Sequence, residues 1–234
     1  MAYLPIFLDV AGRRCVVIGG GEVAARKVAS LLEAGADVVV VSPALVASLA
    51  ELAREGRIVH LKREYEAGAM SGAALVYAAT DDAELHQRLH AEARDRAIPI
   101  NVADVPSLCT FIAPATMTRG SLQIAVSTEG ASPAMAKRIV ARIERLFGPE
   151  YALALEVLRA ARHHLKSTEP DIRLRAAKLI ALARSRIPEY LRKGDLDAVE
   201  KKLVREIGVG LDALGLSSIR IRATTSAEVT STAR

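Results

Sequence analysis

Three consecutive glycines, Gly19-Gly20-Gly21, have the spacing of a turn that holds the phosphates of a dinucleotide. They follow the apolar segment Cys15–Ile18, which predicts a buried parallel strand, and they precede an amphipathic helix that begins at Glu22. With Ala24 the run fits G-x-G-x-x-A, in which the first glycine allows the tight turn and the third allows close approach of the backbone to the ligand. A pyrophosphate would accept hydrogen bonds from the free N–H groups at the positive end of the helix dipole. The order of strand, turn and helix therefore predicts a dinucleotide-binding site.

The end of the second predicted strand bears on the choice between NAD and NADP. Folds of this kind often place Asp or Glu there for the ribose hydroxyls, whereas this chain has Ser42-Pro43-Ala44. No Arg stands beside this segment to receive a second phosphate. The residues thus favour NAD held by backbone groups, unless the segment only turns the chain.

Two polar segments follow later predicted strands, where ligands of open parallel sheets bind. Asp104 comes just after the fifth strand and could act as a general base or orient a substrate nitrogen, but an Asp turn before Pro106 explains it equally well. Thr80, Asp81 and Asp82 follow the fourth strand and are explained as helix caps. The backbone of that loop could also line a nicotinamide pocket.

A second candidate site lies further along the chain. Ser127, Thr128 and Ser132 precede a predicted helix that carries Lys137 and Arg138 in its first turns. Helix N-terminal amides and two cations would suit the carboxylates of a substrate. An ordinary capped helix with solvated charges accounts for the same residues.

The histidines and cysteines do not form a recognisable metal or nucleophile motif. His86 and His90 share a helix face, but Gln87 stands where H-E-x-x-H needs a glutamate, and His163 and His164 point in different directions. We predict solvated surface histidines and no metal site. Two cysteines without a spacing motif, Cys15 and Cys109, predict reduced thiols.

Composition restricts the class of protein. The chain has 234 residues, of which 51% are hydrophobic and 3% aromatic, and its formal net charge is +5. The basic excess could suit nucleic acid or an acidic small molecule, but basic residues are not interleaved with the aromatics that stacking on bases requires, so we predict no nucleic-acid partner. Neither a secretory leader nor an apolar run long enough for a bilayer is evident. We predict a cytoplasmic protein that does not bind membranes.

Alternating strands and helices predict an α/β fold with a doubly wound, parallel Rossmann-type sheet. One more strand, Leu122–Val126, and a helix from Ser132-Pro133 to Phe147 follow, and after Pro149 only helices are predicted, with breaks near Pro170, Pro188 and Gly194. We expect four regions. They are residues 1–113, which bind the dinucleotide, a small strand-plus-helix region at 114–148, a helical domain at 149–216, and a flexible tail at 217–234.

Several motifs together resemble the precorrin-2 dehydrogenase family, which includes the N-terminal half of the multifunctional sirohaem synthases. The resemblance covers about Leu4 to Phe147, and the helical remainder resembles the family's C-terminal region more loosely. The motifs, in chain order, are Leu4-Pro5-Ile6-Phe7, Gly19-Gly20-Gly21-Glu22-Val23-Ala24-Ala25-Arg26-Lys27, Ala78-Ala79-Thr80-Asp81-Asp82, Asn101-Val102-Ala103-Asp104 and Ser127-Thr128-Glu129-Gly130-Ala131-Ser132-Pro133.

This resemblance implies an NAD-dependent oxidoreductase that converts precorrin-2 to sirohydrochlorin in sirohaem biosynthesis. It also implies a homodimer that exchanges the region near Pro114 to Phe147, and, in some members, a ferrochelatase activity in the same crevice. Asp104 matches the family's catalytic aspartate. The implied cofactor-binding residues are Gly19, Gly20, Gly21, Glu22, Val23, Ser42, Pro43, Ala44 and Thr80, and the expected substrate-binding residues are Asn101, Thr128, Ser132, Lys137 and Arg138.

The chain departs from the family pattern at two positions. Glu129 stands where many relatives have a second glycine, and it adds a negative charge near the expected carboxylate site. Thr128 stands where some relatives carry a phosphorylated serine, which makes such regulation doubtful. The chain shows no methyltransferase region, so we expect it not to make precorrin-2. A bifunctional enzyme that also inserts ferrous iron, and a non-catalytic NAD-sensing module, remain the alternatives.

Overall fold

A computed structural model describes residues 3–219 and residue 223. The chain divides into two compact units. One holds the chain up to Ala113 together with Glu129–Ala131, and the other holds Pro114–Thr128 and the chain from Ser132 onward. The finer division expected within residues 114–216 stays a prediction. No helix in the described part of the chain is long and apolar enough to cross a membrane.

The first unit is built on a five-stranded parallel sheet in the order β3-β2-β1-β4-β5. This confirms the predicted doubly wound sheet. The strand order reverses between β1 and β4, and such a reversal opens a ligand crevice at the carboxyl edge. The elements are β1 Arg14–Ile18, α1 Glu22–Glu33, β2 Asp37–Val41, α2 Ala47–Arg54, β3 Val59–Leu61, β4 Leu75–Ala78, α3 Ala83–Asp95, β5 Ile100–Val102 and a 3-10 turn at Pro106–Leu108.

Helices cover both faces of this sheet, which is why its central strands are continuous apolar runs. Cys15 and Val17 of β1 pack into the core on the side of α1, and Val16 and Ile18 pack into the core on the side of α3. All four side chains are buried. The buried strands hold the loops at their carboxyl ends in fixed positions.

The second unit begins with an antiparallel strand pair, and the other elements in its described residues are helices. The predicted strand at Leu122–Val126 is confirmed, but its partner was missed because only Met117 of that strand is buried. The elements are β6 Ala115–Arg119, β7 Leu122–Val126, α4 Pro133–Leu146, α5 Glu150–Thr168, α6 Ile172–Ala183, α7 Ile187–Lys193 and α8 Leu196–Ile207.

The C-terminal helices test two predictions. The break expected near Pro188 is confirmed, since α6 ends at Ala183 and α7 begins at Ile187. Pro188 itself is the second residue of α7, where a missing N–H costs nothing. Of the predicted tail, Ile219 and Ala223 are buried in the core of the helices. Residues 220–222 and 224–234 lie outside the described residues.

Candidate functional site

The loops that carry most of the predicted site residues meet at one edge of the parallel sheet. Backbone hydrogen bonds join them just beyond the strand ends. The N–H of Gly19 donates to Val41 O at 2.9 Å, that of Ala79 to Ile18 O at 2.7 Å, and that of Ala103 to Ala78 O at 2.9 Å. The loops after β1, β2, β4 and β5 therefore form one continuous rim.

The three glycines of this rim have different environments. A Cβ on Gly19, whose φ is +119°, would lie 2.0 Å from Ala79 O, and a Cβ on Gly20 would lie 1.9 Å from Ala44 O. A Cβ on Gly21 would meet nothing within 4 Å. The first two glycines thus allow the loop after β1 to pack closely against the loops after β4 and β2, and the third borders open space.

This open space is suited to a dinucleotide pyrophosphate. Gly21 is the N-cap of α1 and supplies no side chain to its free N–H groups. Glu22, in the first turn, is exposed, and Val23 is half-buried. The residues present therefore fit the group that the fingerprint predicts, and their individual roles in binding it stay predictions.

The loop after β2 is braced from within. Ser42 is buried, and its hydroxyl donates to Ala44 O at 2.8 Å. The carbonyl of Gly20 accepts from the Val46 N–H at 2.8 Å. Since the Ser42 hydroxyl is engaged in the loop, Pro43 and Ala44, which are exposed, are the members of this segment that face solvent.

Histidines fix three of the loops, which corrects the prediction of solvated histidines for His86 and His90, whereas His163 is exposed as predicted. His86 is buried and its Nε2–H donates to Thr80 O at 2.8 Å. In the same way His60 Nε2 lies 2.9 Å from Ser42 O, and His90 Nδ1 lies 2.9 Å from Leu108 O. Because a carbonyl only accepts, each of these ring nitrogens carries the hydrogen. The sequence signal was weak, since a histidine next to the apolar face of a helix has no fixed burial.

Asp104 is exposed at the end of β5 and has a left-handed backbone, with φ +59°. Nearby, Asn101 donates its side-chain amide to Phe111 O at 3.0 Å, so this side chain braces the segment after the 3-10 turn. The expected role of Asn101 in binding substrate stays a prediction. Asp104 is the carboxylate that the sheet presents at this edge beyond β5.

Two further residues of this region were not singled out from the sequence. The ammonium of Lys27, on α1, lies 5.0 Å from the centre of the Tyr77 ring on β4. Burial lowers the pKa of Lys27, and burial raises the pKa of Tyr77 to about 12. Their association depends on packing between α1 and a strand about fifty residues away, which local patterns do not reveal.

The cysteines are free thiols, as predicted. Burial raises the pKa of both Cys15 and Cys109, which disfavours the nucleophilic thiolate. Within residues 3–219 and 223, His, Cys, Asp and Glu side chains form no cluster of three or more that could hold a metal ion.

The remaining predicted residues belong to the second unit, apart from Glu129. Thr128 Oγ1 accepts from the Ser132 N–H at 3.1 Å, and Ser132 Oγ accepts from the Met135 N–H at 3.2 Å, which caps α4. Lys137 and Arg138 are exposed. Both hydroxyls thus have a structural role, and their contact with substrate stays a prediction.

Comparison with known proteins adds to this geometry. A family model described as NAD(P)-binding matches residues 6–115, and one described as the central region of a sirohaem biosynthesis protein matches residues 119–146. A solved structure, the precorrin-2 dehydrogenase SirC, is similar with a TM-score of 0.66 and 24% identity, covering 80% of this chain and 92% of that one. At this identity the likeness concerns the fold.

Curated relatives are similar over most of the chain. The sirohaem synthase of Thioalkalivibrio sulfidiphilus is 38% identical over 212 residues, which are 91% of this chain and 43% of that protein. That of Methylobacillus flagellatus is 49% identical over 151 residues, which are 64% of this chain and 32% of that protein. The chain thus spans less than half the length of these relatives. The two family models match consecutive parts of the chain, and the Thioalkalivibrio relative is similar over 91% of it. The chain therefore belongs to the sirohaem biosynthesis family that includes the matched part of the sirohaem synthases.

Proposed function

We propose that this protein is an NAD-dependent dehydrogenase that oxidises precorrin-2 to sirohydrochlorin. The observation that carries the proposal is the position of Asp104, a carboxylate exposed at the same sheet edge as the glycine turn. A module that only bound a dinucleotide would need the turn at Gly21 but no carboxylate beside it. The name of the SirC structure and those of the sirohaem synthases point to the same pathway.

The cofactor position is supported by the rim of the sheet. Bound NAD⁺ would supply a hydride acceptor. The helix amides after Gly21 would hold its pyrophosphate, and the exposed Pro43 and Ala44 offer no cation for a second phosphate. These features favour NAD over NADP.

Asp104 would take the proton that accompanies the hydride. Oxidation of precorrin-2 to sirohydrochlorin removes two electrons and two hydrogens, so one hydride leaves to NAD⁺ and one proton leaves to a base. A carboxylate at the end of β5 is placed to accept that proton without covalent chemistry. Most of the catalysis then comes from holding the two reactants together.

We test this function by anaerobic incubation of the protein with enzymatically generated precorrin-2 and NAD⁺. Formation of sirohydrochlorin and NADH in equal amounts, followed by absorbance, is the expected result. Asp104→Asn is the matched variant, because asparagine also tolerates a left-handed backbone and removes only the charge. If NAD binds but precorrin-2 is not oxidised by the unaltered protein, a non-catalytic NAD-binding module becomes the better interpretation.

We also propose that the protein forms a homodimer through α4. This helix exposes Met135, Ile139 and Leu146 together with the guanidinium groups of Arg138 and Arg142, an apolar face with a basic rim. Such a surface suits burial against a second protein chain. Sedimentation of the unaltered protein and of Ile139→Asp checks this, with a dimer and a monomer as the expected results.

A further inference from the structure

Lys27 is a cation held partly out of water in the first unit. It lies on α1, is half-buried, and places its ammonium nitrogen 5.0 Å from the centre of the Tyr77 ring. Phe111 packs against the same ring, with the two ring centres 5.4 Å apart. Lysine is seldom buried unless an opposite charge compensates for lost hydration. The ring supplies only part of that compensation.

The charges around Lys27 leave its donors available. Burial lowers the pKa of Lys27 and Arg26 lowers it further, whereas Asp104 and Cys109 act in the opposite direction. Lys27 takes no part in the ion pairs within 4.0 Å that the described residues form. An ammonium has three N–H donors. Among the described residues, no carboxylate lies within 4.0 Å of the Lys27 ammonium to accept from these donors.

Strand register brings Lys27 to the same edge as Asp104. Tyr77, which lies under the Lys27 ammonium, is paired with Asn101 on β5. The next residue of β4, Ala78, accepts a hydrogen bond from Ala103, and Asp104 follows directly. A cation and a carboxylate therefore lie together near the ends of β4 and β5.

We propose that Lys27 binds a carboxylate of the substrate and so holds the macrocycle against Asp104; this rests on the proposed function. Precorrin-2 is a polycarboxylate, and an ammonium with free donors in a half-desolvated setting binds a carboxylate more strongly than one at an open surface. Arg26 is exposed and points about 100° away around the helix, so it does not share the role.

The dinucleotide is the competing ligand for this cation, and position argues against it. The pyrophosphate site is at the N-terminus of α1, and the Lys27 Cα lies about 7.5 Å further along the helix axis than that of Glu22. The Lys27 side chain reaches across to Tyr77 on β4. The cation thus lies towards β4, whose Tyr77 pairs with Asn101 three residues before Asp104, and away from the N-terminus of α1.

The test compares Lys27→Gln with Arg26→Gln, a matched loss of one charge at the neighbouring position, and with Lys27→Arg, which keeps the charge. Equilibrium binding of sirohydrochlorin is followed by absorbance and binding of NAD⁺ by calorimetry, and KM for precorrin-2 is measured anaerobically. For Lys27→Gln we expect the affinity for sirohydrochlorin to fall and KM for precorrin-2 to rise, each about tenfold or more, with NAD⁺ affinity unchanged. Arg26→Gln should change neither the sirohydrochlorin affinity nor KM by more than about twofold.

The outcomes separate the inference from the proposed function. If Lys27→Gln binds sirohydrochlorin as tightly as the unaltered protein, or loses NAD⁺ affinity instead, the assignment of Lys27 is overturned while the dehydrogenase stands. Equal losses in the two glutamine variants would show a general effect of net charge and would overturn it too. If the unaltered protein neither binds sirohydrochlorin nor oxidises precorrin-2, the proposed function itself fails.

Discussion

Replacing Gly20 and Gly21 separately by alanine should divide the two tasks of the glycine turn. At Gly20 the new Cβ would lie 1.9 Å from the backbone oxygen of Ala44, whereas real Cβ atoms essentially never approach closer than 3.0 Å. Because the new Cβ is fixed to the Gly20 backbone and the oxygen belongs to the Ala44 backbone, neither can turn away. The loops after β1 and β2 would have to move apart by more than 1 Å. At Gly21 the same methyl group meets nothing within 4 Å.

The magnitudes follow from these distances. Overpacking of this kind costs about 1–3 kcal/mol, and in a chain of this size each kcal/mol lowers the melting temperature by about 2–4 °C. For Gly21→Ala two small terms oppose each other, since alanine is a poorer N-cap than glycine but restricts the unfolded chain. We therefore expect its unfolding free energy to stay within about 1 kcal/mol of the unaltered protein.

Dinucleotide binding should show the opposite order. The Gly21→Ala methyl group would occupy the space that the pyrophosphate needs beside the helix amides. Loss of one charge-assisted hydrogen bond there, worth about 1.5–3 kcal/mol, predicts NAD⁺ affinity about tenfold to a hundredfold weaker. Circular dichroism with heating measures the first effect and calorimetric titration with NAD⁺ the second.

Unchanged NAD⁺ binding by Gly21→Ala would contradict this position of the pyrophosphate. If Gly21→Ala binds NAD⁺ as tightly as the unaltered protein while it remains folded, the open space beside Gly21 does not hold the pyrophosphate. A Gly20→Ala variant with an unchanged melting temperature would show in turn that the contact with Ala44 is not fixed in solution.

Four further predictions concern other parts of the chain. Asp104→Asn should lower kcat for precorrin-2 oxidation by about 10²–10⁴ with NAD⁺ affinity unchanged, and a variant with full kcat would remove Asp104 from catalysis. His86→Phe removes the donor to Thr80 O, so the free energy of unfolding in urea should fall by about 1–3 kcal/mol. An unchanged urea midpoint would contradict this. Ile139→Asp should convert a dimer to a monomer in sedimentation, and a dimer that persists would place the interface elsewhere. Burial raises the pKa of Glu92, but hydrogen bonds from a tyrosine, a backbone N–H and an arginine lower it more. The stability that this ionised carboxylate contributes is therefore present above about pH 4.5 and is lost as the pH falls further. In urea titrations Glu92→Gln should lose less unfolding free energy on acidification than the unaltered protein, and equal losses would argue against this.

The sheet and its rim could be predicted from the sequence because their signals are local. Strands buried on both faces are continuous apolar runs such as that of β1, and glycine breaks and caps mark where the helices begin. Asp82 caps α3 and Ser132 caps α4 as these patterns indicate. Once the strands alternate with helices, the carboxyl edge collects their loops, and the positions of Gly21 and Asp104 follow from topology alone.

The elements that sequence reasoning missed depend on distant partners. The strand Ala115–Arg119 has only Met117 buried, so its apolar signal is too weak to predict a strand until Leu122–Val126 pairs with it. His86 is buried because the Thr80 carbonyl lies within its reach, and Lys27 is half-buried because Tyr77 lies beneath it. Residue type predicts exposure for Lys27 and no fixed burial for His86, so only the assembled unit determines the burial of both.

For Asp104 the sequence left two interpretations equal, and its role as a base stays a prediction. An Asp turn at this position would need a backbone N–H two residues further on, but that residue is Pro106, which has no N–H to donate. The backbone does turn there, with φ +59°, and the Val105 N–H donates to Val102 O at 3.3 Å. However, none of the described residues donates a hydrogen bond to the Asp104 carboxylate. The turn therefore explains the conformation of Asp104 but not its charge, and an asparagine or glycine would turn the chain as well. What the turn leaves unexplained is an ionisable group exposed at the carboxyl edge beside the glycine turn, and this is the property that a base needs.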